Sequence, residues 1–88
     1  MTKCIIKVTT LKAEYVEEIY GVMESADRVE EIQRCHNAIG IEMMSGETGE
    51  ILYQQLPNGE TYVDNKTLVN LIIEEYYEQK GIDRINTL

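Results

Sequence analysis

The chain has no tryptophan and no phenylalanine, and only one proline, one histidine and two cysteines among its 88 residues. One histidine and two widely separated thiols cannot supply the four nitrogen or sulfur ligands of a tetrahedral metal site, so neither a metal nor a cofactor is expected. Serine is equally scarce. Ser25 and Ser45 are the only two, and neither sits in a G-x-S-x-G elbow that would expose a nucleophile. Cys35 and His36 are neighbours, and adjacent helical side chains diverge by about 100°, too far to share a proton easily. His36 reads instead as a helix-end residue facing the negative pole of the dipole, and both cysteines as small buried hydrophobes. Gly46-Glu47-Thr48-Gly49 lacks the lysine and hydroxyl of a phosphate-cradling loop, and its flanking acids oppose phosphate. Adjacent acids such as Glu17–Glu18, Glu30–Glu31 and Glu74–Glu75 read as solvated helix charges. No catalytic residue emerges, and the expectation is a non-enzymatic protein.

Long apolar runs are missing too. No window of 18 apolar residues exists, which argues against a membrane-spanning helix. The first apolar stretch is broken at Lys7, too early for a secretory signal, so a cytoplasmic protein with reduced thiols is expected. What the chain has in surplus is acid: sixteen Asp and Glu against eight Lys and Arg, a net charge of −8. Such a chain repels phosphate backbones, and direct nucleic-acid binding is not expected. The acid is unevenly placed. Residues 1–12 hold Lys3, Lys7 and Lys12 with no acid. Residues 13–31 hold Glu14, Glu17, Glu18, Glu24, Asp27, Glu30 and Glu31 against Arg28 alone.

Periodicity gives the elements. Lys3–Thr10 alternates, with Cys4, Ile6 and Val8 on one face, as a strand does. From about Thr10, Tyr15, Val16, Ile19, Val22, Met23 and Ala26 gather on one side of a helical wheel, opposite Glu14, Glu17, Glu18 and Glu24. An amphipathic helix with an acidic outer face is therefore expected, interrupted near Ser25–Asp27. A second helix then carries Val29, Ile32, Cys35, His36 and Ile39, with Asp27 and Glu30 forming a capping box and Gly40 the stop. Residues 41–63 read as a two- or three-stranded meander, with turns at Gly46–Gly49 and at Pro57-Asn58-Gly59. The last helix starts at Asp64 or Asn65 and ends at Gly81, and the tail 82–88 leans towards a closing strand.

The last helix is apolar over about 240° of its circumference, where a helix on one sheet needs only a little more than about 100°. Val69, Ile73 and Tyr77 are the surplus. Either another element of the chain covers them or a second copy does, which makes a homodimer through these three residues an expectation. The whole reads as one α+β domain of 88 residues, ferredoxin-like βαββαβ or related, its antiparallel sheet covered by helices on one face. Two functions follow. The first is a protein-binding inhibitor or regulator whose acidic helix face (Glu14, Glu17, Glu18, Glu24, Glu31) docks on the basic, nucleic-acid-binding surface of a partner protein. Small acidic inhibitors carried by phages and mobile elements, which act as nucleic-acid mimics, offer an analogy of profile. The alternative is a homo-oligomeric small-ligand binder or sensor assembled through its last helix.

Overall fold

The structure, a computed structural model, describes residues 2–35 and 38–81. Five strands and two helices follow one another as β1 (Lys3–Thr9), β2 (Glu14–Tyr20), α1 (Val22–Cys35), β3 (Gly40–Ser45), β4 (Ile51–Gln55), β5 (Thr61–Val63) and α2 (Asn65–Lys80). All strand pairs are antiparallel, in the order β2-β1-β3-β4-β5. α1 packs on β1, β2 and β3, while α2 packs on β4 and on α1. The fold is α+β with both helices on one face of an antiparallel sheet. Its element order is ββαβββα rather than βαββαβ.

That difference traces to one segment. Residues 14–20 form a strand paired along its whole length with β1, from Lys3↔Tyr20 to Thr9↔Glu14, where the wheel suggested a helix. Thr10 closes the turn between them: its hydroxyl donates to the Ala13 carbonyl at 3.0 Å and accepts from the Ala13 N–H at 3.0 Å. Tyr15, Glu17 and Ile19 face the helices while Glu14, Val16, Glu18 and Tyr20 face away, so each face mixes polar and apolar groups. Strict alternation is lost because an edge strand is only half covered. Gly21 then turns the chain from β2 into α1 with φ 106°, a conformation that side chains rarely adopt. One helix follows, not two. Asp27 and Glu30 lie inside α1, so no capping box forms there, and Gly40 opens β3 instead of stopping a helix.

The remaining elements match their sequence signals. β1 buries Cys4, Ile6 and Val8 completely, and Ile41 and Met43 of β3 lie beside them. Ile32, Val29 and Val22 of α1 cover this floor. A register shift between Met43 and Met44 sets Ile51 opposite Met44 and Tyr53 opposite Met43, leaving Leu52 as the extra residue of a bulge. Leu52 is fully buried in the same core. Its carbonyl accepts from the Asp64 N–H at 3.0 Å, which pins the start of α2 to the sheet. Asp64 caps that helix by accepting from the Thr67 N–H at 3.1 Å, and Gly81 ends it in the left-handed conformation. His36, the side chain of Cys35 and the expected closing strand at 82–88 lie outside the described residues.

Candidate functional site

The five acids expected on one helix face are divided between two elements: Glu14, Glu17 and Glu18 belong to β2, Glu24 and Glu31 to α1. The acidic helix face as expected therefore does not exist. Because β2 is the edge strand beneath α1, however, both elements border one flank of the molecule. Arg28 joins them directly. Its guanidinium donates to both Glu17 carboxylate oxygens at 2.9 Å and to Glu31 at 2.9 Å. The hydrogen bonds from Glu17, and the charges of Glu17 and Glu31, hold the Arg28 guanidinium still more firmly protonated than usual.

On the far face of β2 the ion pairs are looser. Lys3 lies 3.4 Å from Glu18 and Lys7 lies 3.3 Å from Glu14, the two acids exposed and the two lysines half-buried. Such pairs contribute little to stability, about 0–1 kcal/mol each, and leave both charges open to competition from a partner. Glu24 stands exposed in the first turn of α1, on the same side of that helix as Glu31. The acids thus lie on two faces of one edge: Glu14 and Glu18 with Lys7 and Lys3 on the sheet face away from the helices, and Glu17 and Glu31, joined by Arg28, on the helix side with Glu24.

A second polar arrangement had no sequence signal. Glu75, read as a solvated helix charge, is only 3% exposed. Its carboxylate accepts from the backbone N–H groups of Val22 and Met23, the first two residues of α1. A helix leaves its first N–H groups without intrahelical acceptors, and Gly21 has no side chain to serve them. Glu75 caps α1 from α2, 53 residues away in sequence, and places a negative charge at the positive pole of α1. Beside it, Ser25 donates its hydroxyl to the Gly21 carbonyl at 2.7 Å.

The fully buried Cys4 thiol completes this group. Burial pushes its pKa above the usual thiol value, the nearby Glu75 charge adds to that, and the Ser25 hydroxyl opposes it. Cys4 is a protonated, inert thiol at neutral pH. Because folding disfavours its ionisation, the stability linked to it is intact below the ordinary thiol range and declines as pH rises through it. In a Cys35→Ser background, iodoacetamide at neutral pH is expected to modify Cys4 no faster than the protein opens. Labelling at the rate of a free thiol would contradict this placement.

Between α1 and α2 runs a cleft of about 340 Å³, floored by Met43 and Tyr53 and walled by Ala26, Val29 and Leu68. At its rim the Gln33 amide donates to the Tyr53 hydroxyl at 2.6 Å and to the Gln55 side-chain oxygen at 2.9 Å. The cleft is mainly apolar, with the Gln33 amide and Glu30 in its lining, and it is at the lower end of the size of small-molecule sites. Among the described residues no group of three or more His, Cys, Asp or Glu is arranged to hold a metal ion. No helix among them is long and apolar enough to cross a membrane.

The surplus apolar residues of α2 divide. Leu68, Leu71 and Ile72 pack on the core, whereas Val69 is 52% exposed and Tyr76 is 54% exposed. Ile73 and Tyr77 are half-buried. Tyr76 stands edge-on to Tyr77 with ring centroids 5.6 Å apart, and Lys80 lies 5.9 Å above the Tyr76 ring. Sequence reasoning singled out Val69, Ile73 and Tyr77 but passed over Tyr76, which is more exposed than either Ile73 or Tyr77. No protein-family model, no curated protein and no solved structure matches this chain.

Proposed function

We propose that this chain is a cytoplasmic, non-enzymatic regulator that binds the basic surface of another protein through its β2–α1 flank. The observation that supports this reading most is the acidic edge that β2 and α1 form, with Glu14 and Glu18 on the open face of the sheet and Glu17, Glu24 and Glu31 on the helix side. A partner rich in Arg and Lys would take over the exposed carboxylates of Glu14 and Glu18, now shared with Lys7 and Lys3, while the half-buried Glu17–Arg28 pair stays closed. Exposed ion pairs exchange readily, so little is lost in opening them. The net charge of −8 supplies the long-range field that steers such an encounter. An inhibitor of a nucleic-acid-binding protein is the sharpest form of the proposal, since phosphate-binding surfaces are basic by necessity.

The test is a fourfold neutralised variant, Glu14→Gln, Glu18→Gln, Glu24→Gln and Glu31→Gln. Glu17 is left in place because it is half-buried against Arg28. Association with the partner recovered from the native cell is expected to slow about tenfold or more at low salt, with a shallower salt dependence. Equal association rates for variant and wild type across ionic strengths would dismiss the proposal.

A further inference from the structure

We infer that the outer edge of β2 receives an extended segment of the partner protein as an added antiparallel strand, with Lys or Arg side chains opposite Glu14 and Glu18. The inference rests on the binding of a basic partner proposed for this flank, and it names what that partner presents. β2 ends the sheet, and no strand among the described residues lies beyond it. Gly21 donates to the Thr2 carbonyl and Thr10 to the Ala13 carbonyl, both at 2.8 Å, so the two ends of the β1–β2 register are hydrogen-bonded pairs. Such pairs alternate in an antiparallel ladder, which makes Tyr15, Glu17 and Ile19 the residues of β2 bonded to β1. Glu14, Val16, Glu18 and Tyr20 turn their backbone N–H and C=O groups outward, and their side chains share the open face of the sheet.

Sheets commonly blunt a free edge with proline, lysine, a bulge or a very short strand. The opposite edge follows that rule, since β5 has only three residues. β2 runs for seven residues in unbroken register and contains no proline, lysine or glycine. Val16 is 59% exposed and Tyr20 is 63% exposed on it. Charge selects the occupant. Pairing β2 with β2 of a second copy sets acid against acid: Glu14 meets Glu18 in a register centred on residue 16, and Glu17 or Glu18 meets itself in registers centred on 17 or 18. The outward row instead alternates acid and apolar, as Glu14, Val16, Glu18 and Tyr20. It matches a strand that alternates basic and apolar side chains on one face. The incoming basic groups would approach each carboxylate from the side away from β1, where Lys7 and Lys3 lie. Main-chain hydrogen bonds then supply affinity and the alternate side chains specificity.

The probe is the end-blocked peptide Val-Thr-Lys-Thr-Val-Thr-Lys, which sets its lysines opposite Glu18 and Glu14 when antiparallel. Two N-methylated forms carry the same charge and the same number of methyl groups. One is methylated at both Lys and the central Val, whose N–H groups would face β2; the other is methylated at the three Thr, whose N–H groups would face away. In an NMR titration of the full chain, the unmodified peptide is expected to slow exchange of the Val16 and Glu18 amides. The first methylated form is expected to bind at least about tenfold more weakly, the second within about threefold of the unmodified peptide. Val16→Pro removes an outward N–H that the fold does not use and leaves every acid in place, so it is expected to weaken the unmodified peptide about tenfold. Val16→Thr, which keeps that N–H, is expected to bind as the wild type does, and far-UV circular dichroism establishes that both variants are folded. Equal binding of the two methylated forms overturns the inference, as does a wild type that binds no peptide. Amides at Val16 and Glu18 that are already slow in the free chain, as a second copy or another segment on this edge would make them, overturn it too. Equal binding of the methylated forms that is lost in the fourfold Glu→Gln variant would leave the acidic flank as a binding surface and remove only the added strand. Undiminished binding of the unmodified peptide to the fourfold variant would dismiss both.

Discussion

Glu75→Ala is expected to destabilise the fold by about 2–4 kcal/mol, a large effect for one polar residue on the second helix. The loss has two sources. The Val22 and Met23 N–H groups lose a charged acceptor in a position closed to water, since Val22 is fully buried and Glu75 nearly so. An unmet buried donor costs about 1–3 kcal/mol, and the lost interaction of the carboxylate with the α1 dipole adds to it. The connection between the helices also weakens, because this carboxylate is the polar link between α2 and the start of α1. Glu75→Gln keeps one oxygen acceptor and removes the charge, so a smaller loss of about 1–2 kcal/mol is expected. Urea denaturation reads both, as a lower midpoint at unchanged slope. A midpoint for Glu75→Ala within about 0.5 kcal/mol of wild type would mean that α1 does not depend on α2 for its cap.

Leu52→Ala is expected to cost about 3–4 kcal/mol, much of the stability available to a chain of this size. Leu52 is the bulge residue of β4, fully buried, and its backbone carbonyl holds the first turn of α2. Truncation leaves a cavity under the junction of sheet and second helix, and the bulge restricts the backbone shift that would close it. Val63→Ala, at the last paired position of β5 and 39% exposed, is expected to cost under about 1 kcal/mol. Thermal denaturation separates the two clearly, because about 1 kcal/mol corresponds to a shift of 4–8 °C in a domain this small. Equal shifts for the two variants would contradict the burial assigned to Leu52.

How far these features could be read in advance depended on whether their causes were local. The bounds of α2 were legible because Asp64 and Gly81 act on backbone groups within one turn. β1 was legible because Cys4, Ile6 and Val8 alternate without exception, and the β3–β4 hairpin because its strands flank a turn-forming segment. β2 failed for the opposite reason. Glu17 occupies a helix-facing position that Arg28, eleven residues on, helps to make tolerable, while Val16 and Tyr20 face outward. The outward Val16 and the inward Tyr15 and Ile19 happened to complete a helical stripe with Val22 and Met23. The breaker was present, however: Gly21, directly after the β-branched and aromatic residues of 15–20, marks a turn more economically than a costly helical glycine.

The same error changed the meaning of the acids without scattering them. On a single helix Glu14, Glu17, Glu18 and Glu24 would line one continuous face; in the fold they share one edge of the molecule but divide between its two faces, Glu14 and Glu18 on the open sheet face and Glu17 and Glu24 on the helix side. Glu75 had no local signal at all. Its role depends on a contact across 53 positions, and nothing distinguishes it in sequence from the exposed Glu74 beside it. That the sheet alone would not cover all of α2 was legible, because a helix resting on one layer cannot bury about 240° of apolar surface, but which residues stay exposed was not: Val69 does, while Ile73 and Tyr77 are half-buried.

The account rests on the claim that this molecule works by docking through its carboxylate-bearing flank. Its most direct test is capture from the native cell on immobilised full-length chain, wild type beside the fourfold Glu→Gln variant, with the bound proteins identified by mass spectrometry. The expected result is one basic protein retained in fixed stoichiometry by the wild type, released by salt, and lost with the variant while the variant's fold and thermal stability are unchanged. Retention of the same proteins in the same amounts by both would contradict the claim.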